Sequence, residues 1–289
     1  MVSDYIAAQC AVIVAGDLGL RLEHDVTHPT RVGIRRLRST LRTFAPLFDA
    51  GAAATLETEL VWFAGLLGGV RDADVLRVRL DRLVAELPDD LVMGPVAARI
   101  DNALAAERAE HWRALVAALD SPRQLALLGL IEQWRLAPPF VDVAHGPVNT
   151  VPAKRVSKHL ARAHRKLDKR MRRASRPGPD QEHLVHQARK AGKRFRYAAE
   201  LAEPVMGAKA SAQAADAEAL QDLLGEHQDS VVSAAALRRF GAAAGTAPGE
   251  NGFTFGILLE TELQRGAEIR AQIAARNHSG KQSTHTSDS

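Results

Sequence analysis

The chain has a single cysteine, Cys10, in 289 residues, so it cannot close an internal disulfide, and cysteine-based zinc or redox chemistry is excluded. Cys10 reads as a small buried apolar residue, in keeping with a reducing, cytoplasmic setting. Aromatic residues make up only 4% of the chain, too few for the stacking platforms that single-stranded nucleic acids require. Alternating apolar and polar runs are also missing, and with them any convincing strand. There is no glycine-rich phosphate loop, no acidic metal cluster and no activated nucleophile, so the residues offer no recognisable catalytic apparatus. The opening segment MVSDYIAAQCAVIVAGDLGL is apolar, but no basic stretch precedes it, and Asp4, Asp17 and two glycines interrupt it. It is expected to form an amphipathic helix rather than a signal sequence or a membrane span.

What the chain has is alanine, leucine and apolar residues three and four apart over long distances, the period of helices packed in a core. The expected fold class is all-α. Helices are predicted near residues 4–20, 28–48, 53–69, 72–86, 95–119, 122–136, 153–174, 181–203, 211–227, 229–241 and 252–275. LAPPFVDVAHGPVNTVP, residues 136–152, is rich in proline and turn formers and reads as a link between halves. The last residues, 277–289, are polar and lack an apolar anchor, so a disordered tail is expected.

Charge is distributed unevenly. The formal net charge is +4, yet residues 154–196 hold 16 Lys and Arg against Asp168, Asp180 and Glu182, and residues 21–42 hold six arginines against Glu23 and Asp25. The remainder of the chain carries 16 basic and 29 acidic residues. Two concentrated basic segments on a mildly acidic body are the footprint of a protein that holds a polyanion.

The first basic segment, THPTRVGIRRLRSTLRTF (27–44), resolves into two helical stripes. Ile34, Leu37, Leu41, Phe44 and Phe48 recur at three and four residues and would face a core. His28, Arg31, Arg35, Arg38 and Arg42 follow the same rhythm one residue later, about 100° around the helix. One flank packs and the other presents a ladder of cations. Like charges at this spacing repel by a few tenths of a kcal/mol per pair, and no acidic residue of the helix interleaves with them. Arginine also matches phosphate oxygens in a planar, bidentate fork. Pro29 suits a first helical turn, whose free amides favour anions.

Both features recur. VHQARKAGKRFRYAA (185–199) lays His186 on His28, Arg189 on Arg31, Lys193 on Arg35, Arg194 on Arg36 and Arg196 on Arg38, with Glu200 in the place of Arg42. Further on, LLGGVRDADV (66–75) matches LLGEHQDSVV (223–232), pairing Gly68 with Gly225 and Asp72 with Asp229. Two motifs repeated in one order imply two similar helical bundles, residues 1–140 and 150–276, forming one domain over 1–276. A third basic helix carries Lys154, Lys158, Arg162, Arg165, Lys169 and Arg172 beside an apolar stripe of Val156, Leu160, Ala163, Leu167 and Met171.

These paired motifs resemble the CHAD domain, the conserved-histidine α-helical domain, over about residues 4–275. The resemblance implies two bundles of four-helix type with extra helices, related by a pseudo-twofold axis, and binding of inorganic polyphosphate in a basic channel between them. The binding residues it implies are His28, Arg31, Arg35, Arg36, Arg38 and Arg42 in the first copy. In the second copy they are His186, Arg189, Lys190, Lys193, Arg194 and Arg196. The third basic helix would add Lys154, Lys158, Arg162, Arg165 and Lys166. No cofactor, bound metal or catalytic residue is implied. Partners would be polyphosphate and a polyphosphate-metabolising enzyme, with no membrane, in the cytoplasm or at polyphosphate granules.

Rival readings come from smaller constellations. His24 with His28, and His183 with His186, have zinc-helix spacing, but the surrounding guanidiniums repel a cation. ETEL occurs at 57–60 and at 260–263; on a helix its two carboxylates point in opposed directions, so both pairs read as surface charge. Asp72 and Asp229 follow an expected Leu-Gly break, where they would orient an arginine of the ladder or cap the next helix. Arg71 is a further candidate for the anion. A nucleic-acid binder using the same basic face is the alternative from another class.

Overall fold

A computed structural model describes residues 2–141 and 153–282 of the chain. Among them are nine α-helices: α1 Val2–Arg21, α2 Thr27–Thr43, α3 Ala50–Ala85, α4 Val96–Leu119, α5 Pro122–Leu136, α6 Ala153–Ala174, α7 Gln181–Met206, α8 Ala208–Ala244 and α9 Phe253–Gln282. No strand occurs among the described residues, and the one extended pairing is an isolated antiparallel bridge between Phe48 and Phe140. The chain is all-α, as its periodicity predicts.

The described residues form two compact units, each drawing on both sequence repeats. Unit 1 lies within Met1–Arg71, Ala109–Lys166 and Gly192–Glu218; unit 2 lies within Asp72–Arg108, Leu167–Ala191 and Ala219–Ser289.

In unit 1, α1 packs on α2 and α5. By length and composition α1 is apolar enough to cross a membrane, but one of its faces, with Ile6, Cys10, Ile13 and Leu20, is buried in this bundle. Burial pushes the Cys10 thiol up to about 12, so it stays protonated and inert. Buried Asp17 accepts hydrogen bonds from Arg21 Nε at 2.8 Å and from Gln124 Nε2 at 2.7 Å, which ties α1 to α5. Contact between α1 and α2 is close because glycine leaves room. A Cβ on Gly16 would lie 2.0 Å from Thr30 Oγ1, and one on Gly33 would lie 2.9 Å from Val12. Thr30 cannot retreat, being fully buried with its hydroxyl donating to Val26 O at 2.6 Å.

Glu200 of α7 fastens α7 to α2. It accepts from Arg36 Nε of α2 and from Arg196 Nε of its own helix, each at 3.0 Å. Ser39 Oγ adds a bond to Arg194 O at 3.2 Å.

The core of unit 2 gathers Leu76, Leu80 and Leu83 of α3, Ile100 and Leu104 of α4, Leu237 and Phe240 of α8, and Phe255 and Leu258 of α9. Beside it Arg79, only 7% exposed, is forked by Glu262 at 2.7 and 2.8 Å and by Glu226 at 2.9 and 3.1 Å. A guanidinium so buried is tolerable only with this paired acceptance.

Several boundaries depart from expectation. The second helix ends at Thr43 rather than near 48, because a 3-10 turn Ala45–Leu47 carries Pro46, which lacks the amide a continuing helix needs. Phe44 and Phe48 are nevertheless buried, as the apolar stripe predicts. The helices predicted at 53–69 and 72–86 are the single α3, and those at 211–227 and 229–241 are the single α8. Gly68, Gly69 and Gly225 therefore break nothing, and Asp72 and Asp229 cap nothing. Mid-helix glycine costs about 1 kcal/mol against alanine; at Gly69 it admits the His111 ring of α4 to within 2.4 Å of where a Cβ would sit. The expected link at 136–152 begins as packed structure: Asp49 N donates to Pro139 O at 2.8 Å and Val141 N to Leu47 O at 3.0 Å. Its remainder, 142–152, lies outside the described residues. The last helix runs to Gln282, into the stretch expected to lack structure, since lengthening a formed helix needs no new nucleus. Residues 283–289 lie outside the described ones.

Two stability effects follow. Gly16→Ala gains up to about 1 kcal/mol of helix propensity but overpacks the α1/α2 contact by about 1–3 kcal/mol. Thermal unfolding should therefore start lower, by about 2–4 °C; an unchanged or higher midpoint would show that the contact opens freely. Glu200→Gln removes the charge shared by Arg36 and Arg196 and should cost about 1–3 kcal/mol in a denaturant titration. A loss below about 0.5 kcal/mol would mean that the two arginines do not depend on it.

Candidate anion site

The ladder on α2 exists because its apolar stripe is anchored. Ile34, Leu37 and Leu41 are buried, which turns Arg31, Arg35 and Arg38 to a half-buried flank and leaves His28 and Arg42 exposed. The guanidiniums thus lie along the edge of the packed face, their stems covered and their heads crowded. Arg31 Nη1 donates to Gly68 O at 3.1 Å. The Nε atoms of Arg35 and Arg38 are buried with no hydrogen-bond partner among the described residues.

Two further basic segments join α2 within unit 1. The ring of Phe44, at the end of α2, lies 5.5 Å from that of His159 on α6, and His164 of α6 lies 4.8 Å from Phe195 on α7. In unit 1, α6 buries Val156 and Leu160 and exposes Lys154, Lys158, Arg162, Arg165 and Lys166; in its unit 2 portion it buries Leu167 and Met171 and exposes Lys169 and Arg172, the two faces its spacing predicts. Among the described residues no carboxylate pairs with Lys154, Lys158, Arg162 or Arg165. From α7, Lys193 and Arg194 are half-buried in this unit. The other implied residues, His186, Arg189 and Lys190, belong to unit 2, with Asp72 and Asp229. There His186 Nδ1 meets Gln228 Oε1 at 2.7 Å.

The crowding registers on the histidines. Burial, then Arg71, Arg35 and Arg31, hold His28 below the ordinary imidazole range, with Asp25 opposing them. Arg71 is accordingly part of the cationic neighbourhood of the ladder. Burial, then Arg162, Lys158 and Arg155, do the same to His159. His159 escaped sequence reasoning because it belongs to neither repeated motif, although it directly follows Lys158 of the basic stripe. Arg38 is likewise pulled down, first by burial and then by Arg42.

The counter-charges missing from the sequence of α2 come from other helices. Arg42 Nε donates to Glu57 Oε1 of α3, and Arg38 Nη2 lies 3.7 Å from the same oxygen. Arg36 and Arg196 are engaged by Glu200, Arg196 also by Glu218 at 2.7 Å, and the Arg36 guanidinium lies 5.8 Å from the centre of the Tyr197 ring. Arg36 and Arg196 thus hold helices together, whereas Arg31, Arg35, Arg38 and Arg42 line the flank. Neither ETEL motif is plain surface charge: Glu57 is half-buried on Arg42, and Glu262 is 1% exposed on Arg79. Both lie on helices, so their carboxylate pairs cannot share a metal. His24 precedes the first turn of α2, which removes the zinc-helix spacing with His28. Among the described residues no three His, Cys, Asp or Glu side chains are grouped to hold a metal ion.

Comparison with known proteins agrees with this architecture. Residues 4–238 match the sequence profile described as the CHAD domain. Uncharacterised proteins of two Mycobacterium tuberculosis strains, CDC 1551 / Oshkosh and H37Rv, are each 31% identical over 273 residues, 93% of this chain. The chain spans 51% of their length. Among solved structures, PptA from Streptomyces chartreusis superposes with a TM-score of 0.78 at 21% identity, over 96% of this chain and 98% of that one. The CHAD domain from the plant Ricinus communis superposes with a TM-score of 0.68 at 26% identity, over 96% and 92%. With its paired His/Arg helices, its wholly helical fold and these matches, the chain belongs to the CHAD domain family.

Proposed function

We propose that this chain binds inorganic polyphosphate and does not transform it, acting as a cytoplasmic receptor or targeting module. The observation that carries the reading is the convergence in unit 1 of the α2 ladder with the basic face of α6. Buried guanidinium Nε atoms without acceptors on Arg35 and Arg38 suit a flexible chain of phosphates better than a compact anion. The chain would displace condensed counterions from three helices at once, and the arginine forks would each hold a phosphoryl group.

Nucleic acid has the same charge but asks for more. Phe44, Phe195 and Tyr197, beside the basic helices, are buried and offer bases no face to stack on. A module that only holds polyphosphate needs an enzyme to act on it. The relatives carry about as much chain again beyond the matched segment, which suits work beside a polyphosphate-metabolising partner, at polyphosphate granules.

Long-chain polyphosphate should bind with an affinity that falls steeply with salt. Duplex or single-stranded DNA at equal phosphate concentration should fail to displace it; displacement by either would favour the nucleic-acid reading. Replacing both Arg35 and Arg38 by Ala should weaken binding at least tenfold, about 1.4 kcal/mol, with little change in circular dichroism. Undiminished affinity would place the site elsewhere.

Binding should also depend on pH with a defined sign. His28 and His159 are held below their ordinary range in the free protein, and phosphates beside them would raise both. The complex then takes up protons, so affinity should rise from pH 8 to pH 6 and level off once the free imidazoles protonate. His28→Asn should flatten the profile; an unaltered slope would remove His28 from the site.

A further inference from the structure

Of the carboxylates that meet the cationic helices, Glu57 and Glu200 differ in kind. Glu200 is pinned by arginines of two helices, with its side chain 17% exposed. Glu57 stands at the rim of an open pocket of 490 Å³ lined by Leu41, Arg42, Arg194 and the alanines 45, 50, 53 and 54. It is the one acid among the lining residues, and its side chain is 25% exposed. A single oxygen, Oε1, serves both Arg42 Nε and Arg38 Nη2, yet Arg38 Nε still lacks an acceptor. One carboxylate therefore answers only part of what these cations can donate. The alanines leave space beside it for a second anionic group.

We propose that Glu57 is an internal competitor for the ligand: it occupies the Arg38 and Arg42 rungs in the free protein and must swing aside before a phosphate chain reaches them. The inference rests on the polyphosphate reading above. Exchange is feasible because both occupants are anionic oxygen acceptors, so Arg38 and Arg42 keep a partner at every stage, and because the released carboxylate can reach water. A carboxylate and an internal phosphoryl unit each carry one negative charge. Exchange therefore gains little Coulomb energy, and the two rungs contribute less to affinity than their position suggests. Glu57 would set how far along α2 the bound chain extends, which makes it a specificity-determining residue rather than a ligand contact.

The test is a calorimetric titration of the full chain with polyphosphate of one fixed long length, at two or more salt concentrations. The proteins compared are the wild type, Glu57→Gln, Arg42→Gln and the double variant. Gln keeps an oxygen for Arg42 but not the charge. Glu57→Gln should tighten binding about three- to tenfold and steepen the salt dependence by about one counterion. The gain should shrink when Arg42 is also replaced. Wild-type binding with an unchanged or weaker Glu57→Gln overturns the inference and leaves the polyphosphate reading standing. Binding by neither protein overturns that reading and the inference with it. Glu57→Ser removes the carboxylate by a second route. If both single variants at 57 are unfolded at the assay temperature, Glu57 is a structural clamp and the inference fails.

Discussion

Arg31, Arg35, Arg38 and Arg42 stand three and four residues apart on α2, close enough that each raises the energy of the next. Much of unit 1 is arranged about that repulsion. A helix carrying such a ladder holds its shape only if its other face is fastened firmly, and Ile34, Leu37 and Leu41 are buried to that end. α1 approaches so closely that Gly16 and Gly33 have no room for a side chain. Carboxylates of other helices relieve part of the charge, among them Glu200 from α7 and Glu57 from α3. The cations still crowd the imidazoles of His28 and His159, which respond by favouring their neutral forms.

This divides arginines that look alike in the sequence. Arg36 and Arg196 are held between helices by Glu200 and serve the packing. Arg35 and Arg38 keep buried donors without acceptors, a state that costs free energy unless something is to be bound. Arg79 of unit 2 supplies the contrast: more deeply buried, it has its fork met by Glu226 and Glu262. Under the proposed function, Arg36, Arg196 and Arg79 serve the packing, while Arg35 and Arg38 keep donors for the ligand.

Much of this was legible in the residues. The two stripes of α2, the burial of Phe44 and Phe48, the two faces of α6 and the all-α class all follow from periodicity, which is a local property. What could not be read lies at long range. Glu200 is 164 residues from Arg36, and no spacing rule connects them; Glu57 was visible as a charge but not as the partner of Arg42. Leu-Gly followed by a charged or polar turn-former imitates a helix end, so local pattern alone divides each of the long helices α3 and α8 in two. At Gly69 the actual reason for glycine is a neighbouring histidine ring that only the packed structure reveals. His159 was missed for a related reason, since its surroundings are supplied by Phe44 of another helix.

The proposed function comes down to one placement, a phosphate chain along the cationic flank of α2 shared with the basic face of α6. A crystal structure of the chain with a polyphosphate of defined length addresses it without intermediaries. Phosphoryl oxygens are expected within hydrogen-bond reach of the Arg35 and Arg38 guanidiniums and of Lys158 or Arg162. Phosphates bound only away from α2, or a flank left empty beside an ordered chain elsewhere on the protein, would contradict it.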